Sequence, residues 1–506
     1  MKKLIIALLV VLISTTGFAQ KDNNVTIGKI DSLQSKILGE QRKVWVYVPS
    51  GAAPQQKYPV VYLLDGDAHF YSVVGMIQQL SQVNGNTVCP EMIVVGIPNT
   101  DRTRDLTPTH IDADPPFMDS AFAKTSGGGE QFMSFIEKEL MPYIEATYPT
   151  QPYKMLIGHS FGGLTVMNTV INHTKLFNSY ICIDPSMWWD DMKFLETTKK
   201  ALSEKDFTGT SLYVGIANTM DEGMTVNEVM KDTTNGTRQI RSILDMDNYV
   251  KTKKPKGLKY GSKYYENDDH GSAPLITEYD GLRFIFEKYR LNLTMKDYVD
   301  STVNLADKYK RHYKEVSKFF GFEVKPPDTQ INELAYYLLG MKHYKKAEGI
   351  FKMNMDNYPN SYNVYDSYGD YLIAIGDKAN AIIQLKKALA IKENDGSRKK
   401  LNDLEGVIRT ATKWGIIGTA TPNNWDADQP MTYNEASKTW KITLNLKAGE
   451  FKFRANSNWN MNLGDTKGDG VLKSNGDNLK LAADGYYTVW LILNVAGNYT
   501  YKLVKN

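Results

Sequence analysis

Five short runs of apolar residues lie between residues 60 and 216, and helical spacing marks the segments between them. A continuously apolar run is typical of a parallel strand covered on both faces, because a half-exposed strand alternates polar and apolar residues. Strands that alternate with helices predict an α/β sheet. The runs are Val60–Leu64, Met92–Ile97, Met155–Ile157, Tyr180–Ile183 and Leu212–Ile216.

The chain has 506 residues, whereas a single hydrophobic core stops growing at about 250–300 residues. The residue pattern changes near positions 292 and 412, so we expect several domains. The predicted regions are a signal peptide at 1–20, an α/β domain at 21–292, a helical linker at 293–329, helical repeats at 330–400, a linker at 401–412 and an all-β sandwich at 413–506.

The first twenty residues have the parts of a secretory signal. Lys2 and Lys3 precede an apolar run of about ten residues, half the roughly 20 residues that a membrane-spanning helix needs. Small and polar residues follow, ending at Gln20. The sequence therefore predicts an exported protein, periplasmic or at the cell surface or secreted, with no transmembrane helix after signal cleavage.

A 34-residue self-similarity follows the α/β domain. Residues of matching size recur at Ala335 and Gly369, and again at Ala347 and Ala381. This is the spacing of tetratricopeptide (TPR) repeats, in which small residues lie where helices cross closely. We expect TPR-like helix pairs, a possible surface for a protein partner.

The last region alternates short strands with turns, as in residues 440–446, 450–454 and 487–491. This pattern predicts an all-β sandwich. The net charge of the chain is only +3, and no long basic run occurs, so the sequence gives no indication of nucleic-acid binding.

The segment Gly158–Gly162 has the pattern G-x-S-x-G directly after a predicted strand and before a helical stretch. In this context the serine lies on a strained turn whose neighbours must lack side chains. Ser160 is therefore the candidate nucleophile. A serine at neutral pH needs a base, and the loop residue His270 follows Ser160 in the expected chain order.

The third member of such a triad is a carboxylate that orients the base. We expect it after the strand Leu212–Ile216, where Asp221 is the first choice. Glu222 and Asp232 remain alternatives.

An oxyanion formed on the substrate needs two backbone N–H donors. Phe161, next to the nucleophile, supplies one, and Asp67, after the strand Val60–Leu64, supplies the other. The spacing of Asp65, Asp67 and His69 also suits a metal ion, but their place at a strand end favours the oxyanion loop, so no metal or cofactor is predicted.

Segment 40–290 resembles the putative-esterase family of α/β-hydrolases, which includes esterase D, feruloyl esterases and siderophore-ester hydrolases. The resemblance implies a serine esterase with Arg102 or Arg104 and the pair Trp188 and Trp189 near the acyl or alcohol pocket; the alternative for the arginines is a structural ion pair. Some siderophore esterases of that family work without the acid, so the resemblance alone does not imply a catalytic role for Asp221. The matching stretches are Leu63–Gly66, Gly96–Asn99, Arg102–Pro108, the Ser160 turn, Asp184–Trp189 and His270–Ser272.

The last region resembles the C-terminal modules of Sus-type outer-membrane starch-binding proteins, through stretches such as Trp414–Gly418, Trp425–Asp428 and Glu450–Asn456. Some of those modules bind glucan and others are spacers. By this resemblance Trp425 and Trp459 are candidates to stack on sugar rings, with core packing as the alternative.

Together these features predict an exported serine esterase that works through an acyl-enzyme on acyl or feruloyl esters of glycans, or on siderophore esters. The rival prediction is a glycan-binding or adhesion protein whose hydrolase domain is catalytically idle.

Overall fold

A computed structural model describes residues 24–49, 56–114, 118–405, 413–493 and 499–506. The predicted signal peptide and most of the second linker lie outside these ranges. Within them, no helix is both long and apolar enough to cross a membrane. Cys89 and Cys182 are buried free thiols.

The described residues form two compact units. One contains the residues up to Leu291 together with Glu315–Glu323, and the other contains Asn292–Lys314 and the residues from Val324 onward. The predicted boundary at residue 292 therefore omitted a short helical segment that belongs to the first unit.

The first unit is built on an eight-stranded sheet. Its strands are β1 (Lys29–Gln34), β2 (Gln41–Tyr47), β3 (Tyr58–Leu64), β4 (Ile93–Ile97), β5 (Thr150–His159), β6 (Ser179–Ile183), β7 (Thr210–Ala217) and β8 (Leu258–Tyr265). The sheet order is β1-β2-β4-β3-β5-β6-β7-β8. Strands β3 to β8 are parallel to one another. At one edge of the sheet, β2 pairs antiparallel with β4, and β1 pairs antiparallel with β2.

Helices cover both faces of this sheet, as the apolar strands require: every residue of β3 is buried, and so is every residue of β7. The helices are α1 (Gly66–Ser81), α2 (Arg102–Leu106), α3 (Ser120–Ala123), α4 (Gly129–Phe135), α5 (Met141–Thr147), α6 (Phe161–Asn172), α7 (Lys193–Glu204), α8 (Val226–Val229), α9 (Arg238–Lys253) and α10 (Ala273–Ile285). The carboxyl ends of the parallel strands meet at one sheet edge, where sites of this fold class form.

The end of one further helix completes the first unit. Phe320, which is 3% exposed, lies with its ring centroid 4.8 Å from that of Tyr153 and 6.0 Å from that of Phe286, with which it stacks. These contacts explain why Glu315–Glu323 group with the sheet although they follow a break in the strand pattern.

The helices after the sheet include two pairs of equal length that begin 34 residues apart. They are α11 (Met295–Val299), α12 (Leu305–Phe320), α13 (Asp328–Gly340), α14 (Tyr344–Asn357), α15 (Tyr362–Ala374), α16 (Lys378–Ile391) and α17 (Asp395–Glu405). The predicted small residues are needed for close packing: a Cβ on Gly369 would lie 3.2 Å from Leu385. The region is helical as predicted, and its assignment to the TPR class stays a prediction.

The C-terminal residues form an antiparallel β domain with its own core, which includes Trp414, Phe451, Phe453 and Val489. Its strands are β9 (Trp414–Ile417), β10 (Gln429–Pro430), β11 (Thr432–Asn434), β12 (Thr439–Leu446), β13 (Gly449–Ala455), β14 (Asn458–Gly464), β15 (Val471–Ser474), β16 (Leu479–Leu481), β17 (Gly485–Leu493) and β18 (Tyr499–Lys505). The strand order is β10-β9-β13-β14-β15-β18-β17-β12-β11, and β16 pairs with β13. Because β15 pairs with both β14 and β18, these strands form one continuous hydrogen-bonded path.

Candidate active site

Ser160 lies between the end of β5 and the start of α6, in a conformation that non-glycine residues rarely adopt (φ 61°, ψ −114°). The turn is tight because its glycines touch: a Cβ on Gly158 would lie 2.4 Å from the carbonyl oxygen of Gly162. The strand, the sharp turn and the helix that the sequence predicts are all present. This arrangement presents the Ser160 hydroxyl at the carboxyl edge of the sheet.

His270 lies in the loop between β8 and α10, at the same edge of the sheet, and its side chain is 42% exposed. Its ring centroid is 4.4 Å from that of His159, the residue before Ser160. Within the described residues, His270 and the Ser160 hydroxyl do not form a hydrogen bond; such bonds often tighten only when substrate is bound. The predicted base thus lies against the residue that precedes the predicted nucleophile.

The carboxylate that faces His270 is Asp184, not the predicted Asp221. Asp184 Oδ2 lies 2.6 Å from His270 Nδ1, and the Asp184 side chain is fully buried. Asp221 and Glu222 are exposed and form no described salt bridge, while Asp232 accepts hydrogen bonds from Thr234 and Thr237. None of the three predicted candidates contacts the base.

The sequence pattern indicated an acid after β7, whereas Asp184 directly follows β6. The available signal was a carboxylate placed immediately after a buried strand, inside a motif already noted. Asp184 also has a positive φ of 38°, and its Oδ1 accepts a hydrogen bond from the Ala217 N–H at 3.0 Å. Hydrogen bonds from donors on other elements hold the Asp184 carboxylate in place, as the orienting role requires.

Backbone hydrogen bonds tie the loop that carries the acid to the nucleophile turn. The Ser160 N–H donates to Ile183 O at 2.9 Å, and the Ser186 N–H donates to Ser160 O at 3.2 Å. The nucleophile and the acid are thus held by neighbouring strands, β5 and β6, within one hydrogen-bonded unit.

Two helix N-termini meet at Ser160 and supply candidate oxyanion donors. Phe161 is the first residue of α6, and Asp67 lies in the first turn of α1, positions whose N–H groups have no partner within the helix. The turns are adjacent, since a Cβ on Gly162 would lie 3.2 Å from Asp65 Oδ2. The placement of Phe161 and Asp67 is therefore compatible with the predicted oxyanion hole.

Arg102 and Arg104 both form ion pairs. Arg102 binds Asp65 through Nε at 2.7 Å and Nη2 at 3.0 Å, and the same Nη2 donates to His159 O at 3.2 Å. Arg104 pairs with Glu40 and Asp105. The ion-pair alternative therefore describes both arginines, and the contacts of Arg102 join the α1 turn to the nucleophile turn.

Trp188 and Trp189 do not line an open pocket. They are 4% and 0% exposed, and each indole N–H donates within the protein, from Trp188 to Gln239 Oε1 at 2.5 Å and from Trp189 to Thr109 Oγ1 at 2.9 Å. The expected contact of these rings with substrate is therefore corrected: they pack beneath the site, beside the ring of Phe161.

Three further titratable residues, which the sequence did not indicate as a group, follow His270 in a row of contacts: His159, His69 and Glu278. The ring centroid of His159 is 5.9 Å from that of His69, and His69 Nδ1 lies 3.6 Å from Glu278 Oε1. Burial lowers the pKa of His159 to about 4 and raises the pKa of Glu278 to about 8. Burial thus favours the neutral form of both groups.

In the C-terminal domain, Trp425 and Trp459 lie together with ring centroids 5.9 Å apart. Trp459 is 45% exposed, and the guanidinium carbon of Arg454 lies 4.6 Å from its ring centroid. Arg454 is itself held by Asp428 at 2.8 Å. The pair is not part of the domain core, so the alternative of core packing does not describe Trp459.

Residues 35–244 match the putative-esterase family. The ferri-bacillibactin esterase BesA of Bacillus subtilis is 31% identical over 169 residues, which are 32% of this chain and 58% of that protein. The siderophore enterobactin esterase of Emericella nidulans is 28% identical over 165 residues, 30% of this chain and 54% of that protein. The chain thus matches just over half the length of these curated relatives.

A solved structure of an IroE-like serine hydrolase from Shewanella oneidensis is also similar. It is 30% identical, with a TM-score of 0.56, and the match covers 65% of this chain and 99% of that one.

Proposed function

Because the hydrolase region of this chain belongs to the putative-esterase family, we propose that the protein is a serine carboxylic-ester hydrolase that works through an acyl-enzyme. The observation that carries the proposal is the 2.6 Å contact between His270 Nδ1 and the buried Asp184, beside a serine held at positive φ. A carboxylate, an imidazole and an activated serine in this order are the parts of a nucleophilic triad.

In the proposed reaction each group has a separate role. Asp184 accepts a hydrogen bond from the Nδ1–H group of His270, which leaves Nε2 to remove the proton of the Ser160 hydroxyl as its oxygen attacks the ester carbonyl. The N–H groups of Phe161 and Asp67 are placed to stabilise the oxyanion. His270 then protonates the leaving alcohol, and water, activated by the same imidazole, releases the acid from Ser160.

The test is labelling with a fluorophosphonate together with hydrolysis of p-nitrophenyl acetate and butyrate. The wild-type protein should be labelled at Ser160 and hydrolyse both esters. Ser160→Ala should lose labelling and about 10⁴–10⁶-fold in kcat. Ser203→Ala, on the exposed side of α7, is the matched control and should retain both. Activity that survives in Ser160→Ala would overturn the proposal.

For the substrate, we propose an ester of low negative charge, such as an acyl or feruloyl ester of a glycan. Exposed carboxylates without a described salt-bridge partner lie in the segments that follow β3, β7 and β8 at this edge of the sheet: Asp67, Asp221, Glu222, Glu266 and Asp269. The arginines of this sheet edge are neutralised by their own partners. A field of this sign slows the approach of anionic substrates.

The relatives favour a second candidate, a siderophore ester, since that is what their names specify. Competing rates distinguish the two. Methyl ferulate and acetylated xylan should be hydrolysed with rates that depend little on salt, whereas a ferric siderophore ester should be slow at low salt and faster at high salt. A fast, salt-independent rate on the ferric ester would favour the siderophore function.

We further propose that the C-terminal domain binds a polysaccharide weakly through Trp425 and Trp459. The rival function, a glycan-binding or adhesion protein with an idle hydrolase domain, would require the same binding. The exposed Trp459 ring supports this role. Affinity electrophoresis of the full chain in gels with starch, xylan or pectin tests it. Trp459→Ala should abolish the retardation, and Trp490→Ala serves as the control. Retardation together with no ester hydrolysis would favour the idle-enzyme alternative.

Export and a protein partner for the helical repeats are also part of the proposal. N-terminal sequencing of the protein from the periplasm or the medium of its host should begin after about residue 20, by the length of the signal. Protein that retains Met1 in the cytoplasm would contradict export.

A further inference from the structure

A buried hydrogen-bonded chain leads from Trp188 through Gln239 to the acid. The indole N–H of Trp188 donates to Gln239 Oε1 at 2.5 Å. Gln239 Nε2 donates to Asp184 Oδ2 at 3.1 Å and to Asp184 O, also at 3.1 Å. All three side chains are less than one tenth exposed.

The donor and acceptor at each of these hydrogen bonds follow from the chemistry of the side chains. An indole nitrogen is only a donor, so the Gln239 atom that faces Trp188 must be the oxygen. The amide nitrogen of Gln239 must then face Asp184, which as a carboxylate is only an acceptor. If the amide turned over, two donors would meet at Trp188 and two acceptors would meet at Asp184.

We propose that Gln239 and Trp188 are positioning residues for the acid: Trp188 fixes the amide of Gln239, and this amide holds Asp184 with Oδ2 towards His270 Nδ1. The inference rests on the proposed esterase function. Neither residue touches the substrate or the reacting atoms, so both act through Asp184.

The two contacts on Asp184 have separate effects. The bond from Gln239 to Oδ2 and the bond from the Ala217 N–H to Oδ1 together fix the rotation of the carboxylate. Oδ2 can accept a second hydrogen bond, and in this orientation it accepts from His270. The bond to the backbone carbonyl steadies Asp184 at its positive φ of 38°, a conformation that is costly for a residue with a side chain. Loss of the Gln239 amide therefore frees the acid in two ways at once.

The experiment compares Gln239→Met, Trp188→Phe and the double variant in the hydrolysis of a p-nitrophenyl ester. Misplacement of a catalytic group by about 1 Å costs on the order of 10²-fold. We expect Gln239→Met to lower kcat by about this factor with KM within about twofold, and Trp188→Phe to lower kcat by about tenfold, since the amide is then free to turn. The double variant should be no slower than Gln239→Met alone.

An Asp184→Asn background provides the second readout. If Gln239 acts through the acid, Gln239→Met in this background should change kcat by less than about twofold, since coupled residues are not additive. Losses that multiply instead, or that appear in KM, would show a merely structural role and overturn the inference. Should Trp188→Phe fail to fold, Gln239→Met in the two backgrounds still decides.

The failure of this inference differs from failure of the proposed function. Ester hydrolysis that persists in Ser160→Ala would overturn the function itself. Loss of activity in Ser160→Ala, with kcat unchanged in Gln239→Met, would leave the esterase intact and overturn only the positioning role.

Discussion

Asp184 Oδ2 and His270 Nδ1 lie 2.6 Å apart although 86 residues separate them in the chain. The contact forms because β6 and β8, which precede the two residues, end at the same edge of the sheet. Orientation of the imidazole therefore depends on a residue outside the loop where the sequence pattern had indicated the acid.

Asp184→Asn should lower kcat for a p-nitrophenyl ester by about 10³–10⁴-fold with little change in KM, because the amide favours the wrong tautomer of His270. Asp221→Asn is the matched control and should stay within twofold of the wild type, since Asp221 is exposed and forms no described hydrogen bond with His270. Steady-state kinetics of the two variants decide between them. A larger loss in Asp221→Asn would return the acid to the β7 loop.

Gly158→Ala should prevent the nucleophile turn from forming, since its Cβ would lie 2.4 Å from the Gly162 carbonyl oxygen. We expect loss of fluorophosphonate labelling and a lower melting temperature. Gly75→Ala is the control: apart from the neighbouring turns of helix α1 itself, no atom lies within 4 Å of the added Cβ, so the change should stabilise the protein by about 0.5–1 kcal/mol. Labelled Gly158→Ala protein would contradict the tight turn.

Phe320→Ala should destabilise the hydrolase unit by about 3 kcal/mol, because the ring is buried against Tyr153 and Phe286. Phe122→Ala, in a ring that is 67% exposed, should change stability by less than about 0.5 kcal/mol. Urea unfolding followed by esterase activity measures both. Equal stability of the two variants would argue that residues 315–323 do not belong to the unit.

Glu278→Gln should stabilise the protein more at pH 8 than at pH 5. Burial raises the pKa of Glu278 to about 8, so the folded state keeps the proton while the unfolded state releases it above about pH 4.5. The contribution of the protonated carboxyl is complete below pH 4.5 and is lost as pH rises to 8.

The gain in Glu278→Gln should be on the order of 4 kcal/mol at pH 8 and about 1 kcal/mol at pH 5. Denaturant unfolding at both values measures it. Glu266→Gln, on the exposed β8 loop, is the control and should show no such difference. A gain independent of pH would mean that Glu278 is ionised in the folded state.

How far the sequence predicts this molecule depends on whether a property is local. The strands of the α/β sheet and the Ser160 turn follow from runs of neighbouring residues, and they were predicted. The partners of Asp184, Arg102 and Trp188 come from distant segments, so no local pattern indicates them. Trp188 illustrates the difference, since its hydrogen bond to Gln239 depends on how α9 packs against the loop after β6.

The row of His69, His159 and Glu278 was missed for the same reason. Each residue lies in a different element, α1, β5 or α10, and none has a sequence neighbour that marks it as buried and titratable. Their shifted pKa values come from burial, which exists only once the helices cover the sheet.

The hydrogen bonds that join the Ser160 turn to the segment after β6 have a consequence for how such an enzyme can change. Because the nucleophile and the acid follow adjacent strands, the stretch from Asn218 to Thr237 supplies no residue of the proposed triad. Its exposed part, residues 221–228, can change in length and in residue type while the reaction chemistry is preserved. A library randomised in that stretch, rather than around Asp184, is therefore the place to seek variants with altered ester preference.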